Sequence, residues 1–155
     1  MTIALELHQV SKVYGDGPTA VRALWQVDLS VKRGELIAIM GPSGSGKSTL
    51  LTIAGSLEDP TSGEVLVGGT KLSSLSRDDR ARLRCRSIGY VFQDFNLLAG
   101  LTAVENVGLP LELDGIAVKT ARSAGMKALE ALGIADRAAH YPDELSGGER
   151  QRVSA

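Results

Sequence analysis

Leu36-Ile37-Ala38-Ile39-Met40-Gly41-Pro42-Ser43-Gly44-Ser45-Gly46-Lys47-Ser48-Thr49 is the stretch on which the fold turns. Its first part follows the turn Lys32-Arg33-Gly34 as a continuous apolar run, which predicts a strand over 35–40 buried on both faces. Its second part has the spacing G-x-x-x-x-G-K-[ST], and a helical segment over Lys47 to Ala54 follows, ended by Gly55. Strand, glycine-rich turn and helix in that order form a phosphate-binding loop. Glycines let backbone N–H groups converge on an anion, Lys47 reaches for the β- and γ-phosphates, and the Ser48 hydroxyl is a ligand for Mg²⁺. The helix N-terminus adds roughly 0.3–2 kcal/mol of dipole attraction. Candidate nucleotide-binding residues here are therefore Gly41, Pro42, Ser43, Gly44, Ser45, Gly46, Lys47, Ser48 and Thr49.

Upstream, Ile3 to Val10 and Ala23 to Val31 alternate apolar and polar residues around the turn Gly15-Asp16-Gly17-Pro18, which predicts an antiparallel pair. Downstream, Glu64 to Val67 returns as a short strand before Gly68-Gly69, completing a mixed β region. Ser76 with Asp79 starts a helix that leads to another apolar strand over Ile88 to Phe92. Thr102 with Glu105 repeats the capping pattern and opens a helical stretch that Gly108 and Pro110 are expected to interrupt. A second helix runs from Val118 to Leu132, closed by Gly133. The division expected is a β-rich region with the phosphate loop over 1–92, a helical subdomain over 93–145 and the start of a further helix over 146–155.

Leu145-Ser146-Gly147-Gly148-Glu149-Arg150-Gln151-Arg152 is a second glycine-bearing helix start, with free N–H groups and a serine hydroxyl for an anion; taken alone it reads equally as a capped, solvated helix. Together with the phosphate loop it resembles the LSGGQ-type signature of ATP-binding cassette (ABC) proteins downstream of a Walker A loop. Tyr90-Val91-Phe92-Gln93 resembles that family's Q-loop, and Val13-Tyr14-Gly15 its A-loop. The stretches Phe92 to Leu98 and Leu101 to Leu111 are most similar to the lipoprotein-release and macrolide-export type. By themselves, Tyr14 also reads as a turn tyrosine packed on the sheet, and Gln93 as a strand-end amide bonded to backbone.

The resemblance implies an α/β P-loop NTPase fold of ABC type, with an antiparallel β region, an α/β core and a helical subdomain. It implies ATP and Mg²⁺ as cofactors. Tyr14 would stack on adenine, Gln93 would contact the Mg²⁺ and the attacking water, and Ser146, Gly147, Gly148 and Glu149 would face the nucleotide held by a second copy. The implied partners are an integral membrane permease subunit and that second copy, at the cytoplasmic face of the membrane. Two other readings are weighed: a non-catalytic nucleotide- or partner-binding fragment, and a DNA-maintenance ATPase. The short spacings between Lys47, Gln93 and Leu145 disfavour the latter, which carries a long coiled coil between its lobes.

Composition agrees. The 155 residues are 43% hydrophobic and 23% charged with a formal charge of −1, which excludes disorder and offers no attraction to nucleic acid. Six aromatics are too few for a base-stacking platform, and the arginines of 77–86 read as a solvated helix face. The apolar runs are too short for direct membrane insertion, and no leader is expected. The single Cys85 forms no internal disulfide, and His8 and His140 read as surface or structural residues.

Family members continue past the signature into a Walker B strand with its Asp and Glu, and later a switch His. None of these is expected in 1–155, so the run over 36–40 is expected as an unpaired apolar edge and poor solubility with it. As they stand, these 155 residues are expected not to sustain ATP turnover, because no carboxylate occupies the position that polarises the water. Phosphate release from monodisperse protein, with Lys47→Ala as the contamination control, should be indistinguishable between the two; turnover abolished by that substitution would refute the expectation.

Overall fold

In the computed structural model, which describes residues 2–155, β1 (Ile3–Tyr14) and β2 (Val21–Lys32) pair antiparallel as the alternation predicts. On its other side β1 pairs antiparallel with β3 (Ser62–Val67), which pairs with the short β4 (Thr70–Lys71), so the order is β2-β1-β3-β4. The apolar positions explain the register. Leu7 opposes Val65 and Leu5 opposes Val67, and Leu7, Val65 and Val10 are buried. Two non-glycine residues of the hairpin, Gln9 and Gln26, have positive φ, and the ladder register shifts around them. Their amides leave the ladder but are satisfied: Gln9 N–H donates to Asp28 Oδ1 at 2.8 Å, and Gln26 N–H donates to the buried Ser11 hydroxyl at 2.8 Å.

The chain divides into two compact units, one ending at Ala81 and one beginning at Arg82. The first holds the sheet and α1 (Lys47–Ala54), whose Ile53 is fully buried; Gly55 caps the helix as expected. The division falls within α2 (Arg77–Ser87), which Ser76 starts by accepting the Asp79 N–H. No residue of α2 is buried, in keeping with a solvated arginine face. Cys85 on this helix is an exposed free thiol.

The second unit is built on α3 (Ala103–Leu113), α4 (Val118–Ala131) and α5 (Gly147–Ser154). Its core joins Ala103, Val104, Leu129, Ile134, Leu145 and Val153. Thr102 opens α3 as expected, its N–H and hydroxyl both donating to Glu105 Oε2 at 2.9 and 2.6 Å. Asn106 ties the preceding loop to this turn through Nδ2, which donates to the carbonyls of Leu98 and Leu101.

Three expectations are corrected here. Gly108 and Pro110 do not interrupt α3, which runs through both. Pro110 lies on the exposed side of the helix, away from its packed face. Gly108 instead permits close helix approach: a Cβ there would stand 3.2 Å from the Ala121 carbonyl oxygen, and one on Gly125 would stand 2.8 Å from that of Val104. The strands expected over 35–40 and 88–92 do not form either, and Leu36 and Met40 are 97% and 88% exposed rather than buried. A strand exists only through hydrogen bonds to a neighbour. No segment among the described residues pairs with these two, so the sheet is antiparallel throughout and not mixed. What the sequence reading expected as an apolar edge is present as an unpaired, exposed apolar run. Among the described residues no helix is long and apolar enough to cross a membrane.

Gly125→Val tests the α3–α4 packing. Its helix-propensity effect is a few tenths of a kcal/mol, whereas overpacking against the Val104 carbonyl costs about 1–3 kcal/mol. The urea midpoint of the full chain should therefore fall, with circular dichroism loss concentrated in the helical signal.

Candidate functional site

The phosphate loop is built as its glycines require. Gly46 caps α1 with φ of 87°, in the left-handed region, and a Cβ there would overlap the Ala23 carbonyl oxygen of β2 and stand 3.0 Å from Leu24 Cδ2. Its carbonyl accepts the Leu50 N–H at 2.8 Å, the first bond of the helix. Gly41 is also tightly flanked, since a Cβ there would lie 2.7 Å from Ser45 Oγ. Lys47 folds back over the loop, its ammonium donating to the carbonyls of Gly41 (2.9 Å) and Pro42 (2.7 Å) and to Ser45 Oγ (3.4 Å). These partners are all neutral oxygens, so the positive charge stays available to an anion.

Ser48 is exposed in the first turn of α1, and that turn contains no acidic residue. A cation, unsatisfied first-turn amides and no competing carboxylate fit a polyphosphate. The Ser48 hydroxyl fits Mg²⁺ as one oxygen ligand. Among the described residues no cluster of three or more His, Cys, Asp and Glu stands together.

Tyr14 ends β1 in the same unit, with 40% of its surface exposed. Its hydroxyl donates to Glu58 Oε2 at 2.7 Å, and Lys12 Nζ lies 5.1 Å from the ring centroid.

In the second unit, Ser146 caps α5. Its Oγ accepts the Glu149 N–H at 3.3 Å, while Glu149 Oε2 accepts the Ser146 N–H at 2.7 Å. Gly147 and Gly148 are exposed, with open space where a side chain of Gly147 would stand. Glu149 Oε1 accepts from Arg137 Nε at 2.8 Å. The Arg137 guanidinium and then the Ser146 backbone and hydroxyl hold the Glu149 carboxyl down at about 2, and the same ion pair raises Arg137.

Gln93 is exposed and lines a shallow groove with Asp94, Phe95, Leu97, Pro142 and Arg150. A persisting strand would direct Asp94 away from Gln93; because 93–94 is a turn, both line the groove. Phe95 and Asn96 follow with φ of 61° and 51°, and the Arg150 guanidinium lies 5.9 Å from the Phe95 ring. Tyr14 and residues 41–49 thus belong to the first unit, and Gln93 and 146–149 to the second. Motif reading missed Glu58 and Arg137, because each acts across a sequence gap that no spacing rule encodes. Of the histidines, His8 lies on β1 with Nε2 3.4 Å from Glu6, and the His140 carbonyl accepts the Ala103 N–H.

A glycine-locked phosphate loop on a β-hairpin, with a serine-capped glycine helix start further along, defines a P-loop cassette of the nucleotide-binding class. The chain belongs to the ABC transporter family, whose profile matches residues 24–155. It is 43% identical over 152 residues to the lipoprotein-releasing system ATP-binding protein LolD of Pseudoalteromonas translucida, covering 98% of this chain and 66% of that protein. It is 45% identical over 150 residues to the macrolide export ATP-binding/permease protein MacB of Marinobacter nauticus, covering 97% of this chain and 23% of the relative. Both fall in the lipoprotein-release and macrolide-export group expected from the sequence. The dimeric, post-hydrolysis structure of the ATP-binding cassette MJ0796 bound to ADP and Pi superposes with a TM-score of 0.88 at 42% identity, over 97% of this chain and 66% of that one. The fold is therefore the ABC-type α/β cassette. The chain spans less than two thirds of the length of these relatives.

The Glu149 pairing makes a pH-dependent contribution. A carboxyl lowered from about 4.5 to about 2 stabilises the fold fully above the unfolded value and loses that contribution as pH falls through about 2. Carbon-detected NMR titration should place the Glu149 midpoint near 2 and move it up toward the ordinary range in Arg137→Ala.

Proposed function

We propose that this chain is the ATP-binding subunit of an ABC transporter, coupling ATP binding and hydrolysis to transport through a separate membrane subunit. The observation that carries this reading is the Lys47 ammonium held over a Gly46-locked loop by neutral oxygens alone, in a chain of the ABC transporter family.

Residues 41–49 bind the triphosphate, and Tyr14 stacks on the base. Ser48 would be a ligand for Mg²⁺, which when bound neutralises phosphate charge. Gln93 orients the attacking water, as its residue type and its exposed turn allow. Ser146, Gly147 and Gly148 present a hydroxyl and first-turn amides to nucleotide on a second copy, and Glu149 holds that helix start in shape. The dimeric state of MJ0796 supports a pair of copies. The partners are then a second copy and an integral membrane permease, at the cytoplasmic face of the membrane. The division into 1–92, 93–145 and 146–155 belongs to this reading.

Lys47→Ala removes the cation while leaving the loop amides. A charge-assisted contact is worth about 1.5–3 kcal/mol, so affinity for a fluorescent ATP analogue should fall tenfold or more. An unchanged dissociation constant would sink the phosphate-loop assignment.

A further inference from the structure

Glu58 belongs to none of the motifs that define the site. It lies on the connection between α1 and β3, and its carboxylate is shared between two residues of β1. Oε2 accepts the Tyr14 phenol at 2.7 Å, and Oε1 pairs with Lys12 Nζ at 2.8 Å. Lys12 is fixed in turn by donating to the Asp59 carbonyl at 2.7 Å, and its side chain is only 14% exposed. Thr61 fastens the same connection to β1, its Oγ1 accepting the Val13 N–H at 3.0 Å. The phenol oxygen lies on the axis of the ring's second torsion, so its bond to an anchored carboxylate fixes the first torsion and hence where the ring stands, while Lys12 Nζ, 5.1 Å from the centroid, lies over one face of the ring. The Lys12 and Tyr14 hydrogen bonds also hold the Glu58 carboxyl below its ordinary value, so it acts as an acceptor only and Tyr14 must donate.

The phosphate loop meets this arrangement through the hairpin. Gly46 rests against Ala23 and Leu24 of β2, and Leu24 is the register partner of Lys12. The strand position that anchors Glu58 therefore lies opposite the one that seats the loop, with Tyr14 two residues further along β1.

We propose that Glu58 is a positioning residue for nucleotide binding: anchored by Lys12, it holds the Tyr14 ring in place for stacking on the base. This rests on the reading of Tyr14 as the base-stacking residue.

Competition titrations of the full chain with ATP and with inorganic tripolyphosphate, which has no base, separate the two claims. Tyr14→Ala should weaken ATP roughly 5- to 100-fold and leave tripolyphosphate unchanged, the loss of one base–aromatic stack. Glu58→Ala should weaken ATP about threefold or more, again sparing tripolyphosphate, and should add nothing in the Tyr14→Ala background. Glu58→Gln, which keeps an acceptor for the phenol, should fall between Glu58→Ala and the unsubstituted chain. If Tyr14→Ala leaves the ATP-to-tripolyphosphate ratio unchanged, the base-stacking reading fails and this inference with it. A ratio that changes in Tyr14→Ala but not in Glu58→Ala overturns the inference alone. Equal loss of both ligands in Glu58→Ala also overturns it, since that is the signature of a merely structural role.

Discussion

The contact of Gly46 with the backbone of β2 is the constraint on which the phosphate site depends. An irregular glycine-rich loop has no regular ladder of its own, so it has to be braced by an element that does. Here the brace is the β1–β2 hairpin, and the fit is close enough that a single methyl group on Gly46 would collide with the Ala23 carbonyl. The left-handed conformation of Gly46 excludes a side chain for a second, independent reason. The same glycine ends the loop and opens α1, so loop shape, helix direction and the placing of Lys47 follow from one contact.

Carboxylates do comparable work at two other places. Glu58 reaches Tyr14 and Lys12 in the first unit, and Glu149 reaches Arg137 and Ser146 in the second. Ion pairs at the protein surface, even partly covered as these are, add little to stability, typically about 1 kcal/mol or less. Their effect is directional: each holds a group at one place, the Tyr14 hydroxyl in the first unit and the Ser146 helix start in the second. For Glu149 the acid also closes the capping box, so the helix start is held from both sides of one carboxylate.

The missing strands follow from the same physics. Leu36 to Met40 has the composition of a buried strand, but composition does not supply a neighbour. β1 succeeds because a hairpin partner is close in sequence and β3 returns antiparallel beside it. Residues 35–40 and 88–92 meet no such partner among the described residues, and their backbone stays out of any ladder. Gly108 and Pro110 make the opposite point. Local propensity predicts a break, yet the helix continues, because packing against Ala121 rewards a small residue and the proline sits on the exposed side.

By itself the sequence determined what depends on neighbours along the chain. The β1–β2 pairing, the ends of α1 and α4, the Thr102 and Ser146 caps and the phosphate loop were all legible, because periodicity and capping act within a few residues. The family, too, was written in short motifs. Only the tertiary structure decided which apolar runs become strands, which glycines are close contacts rather than breaks, and that Glu58 pairs with Tyr14 and Arg137 with Glu149. Those outcomes rest on groups brought together from distant positions: 44 residues separate Tyr14 from Glu58. No local rule carries such a pairing, because the chain's folding, not its spacing, creates the contact.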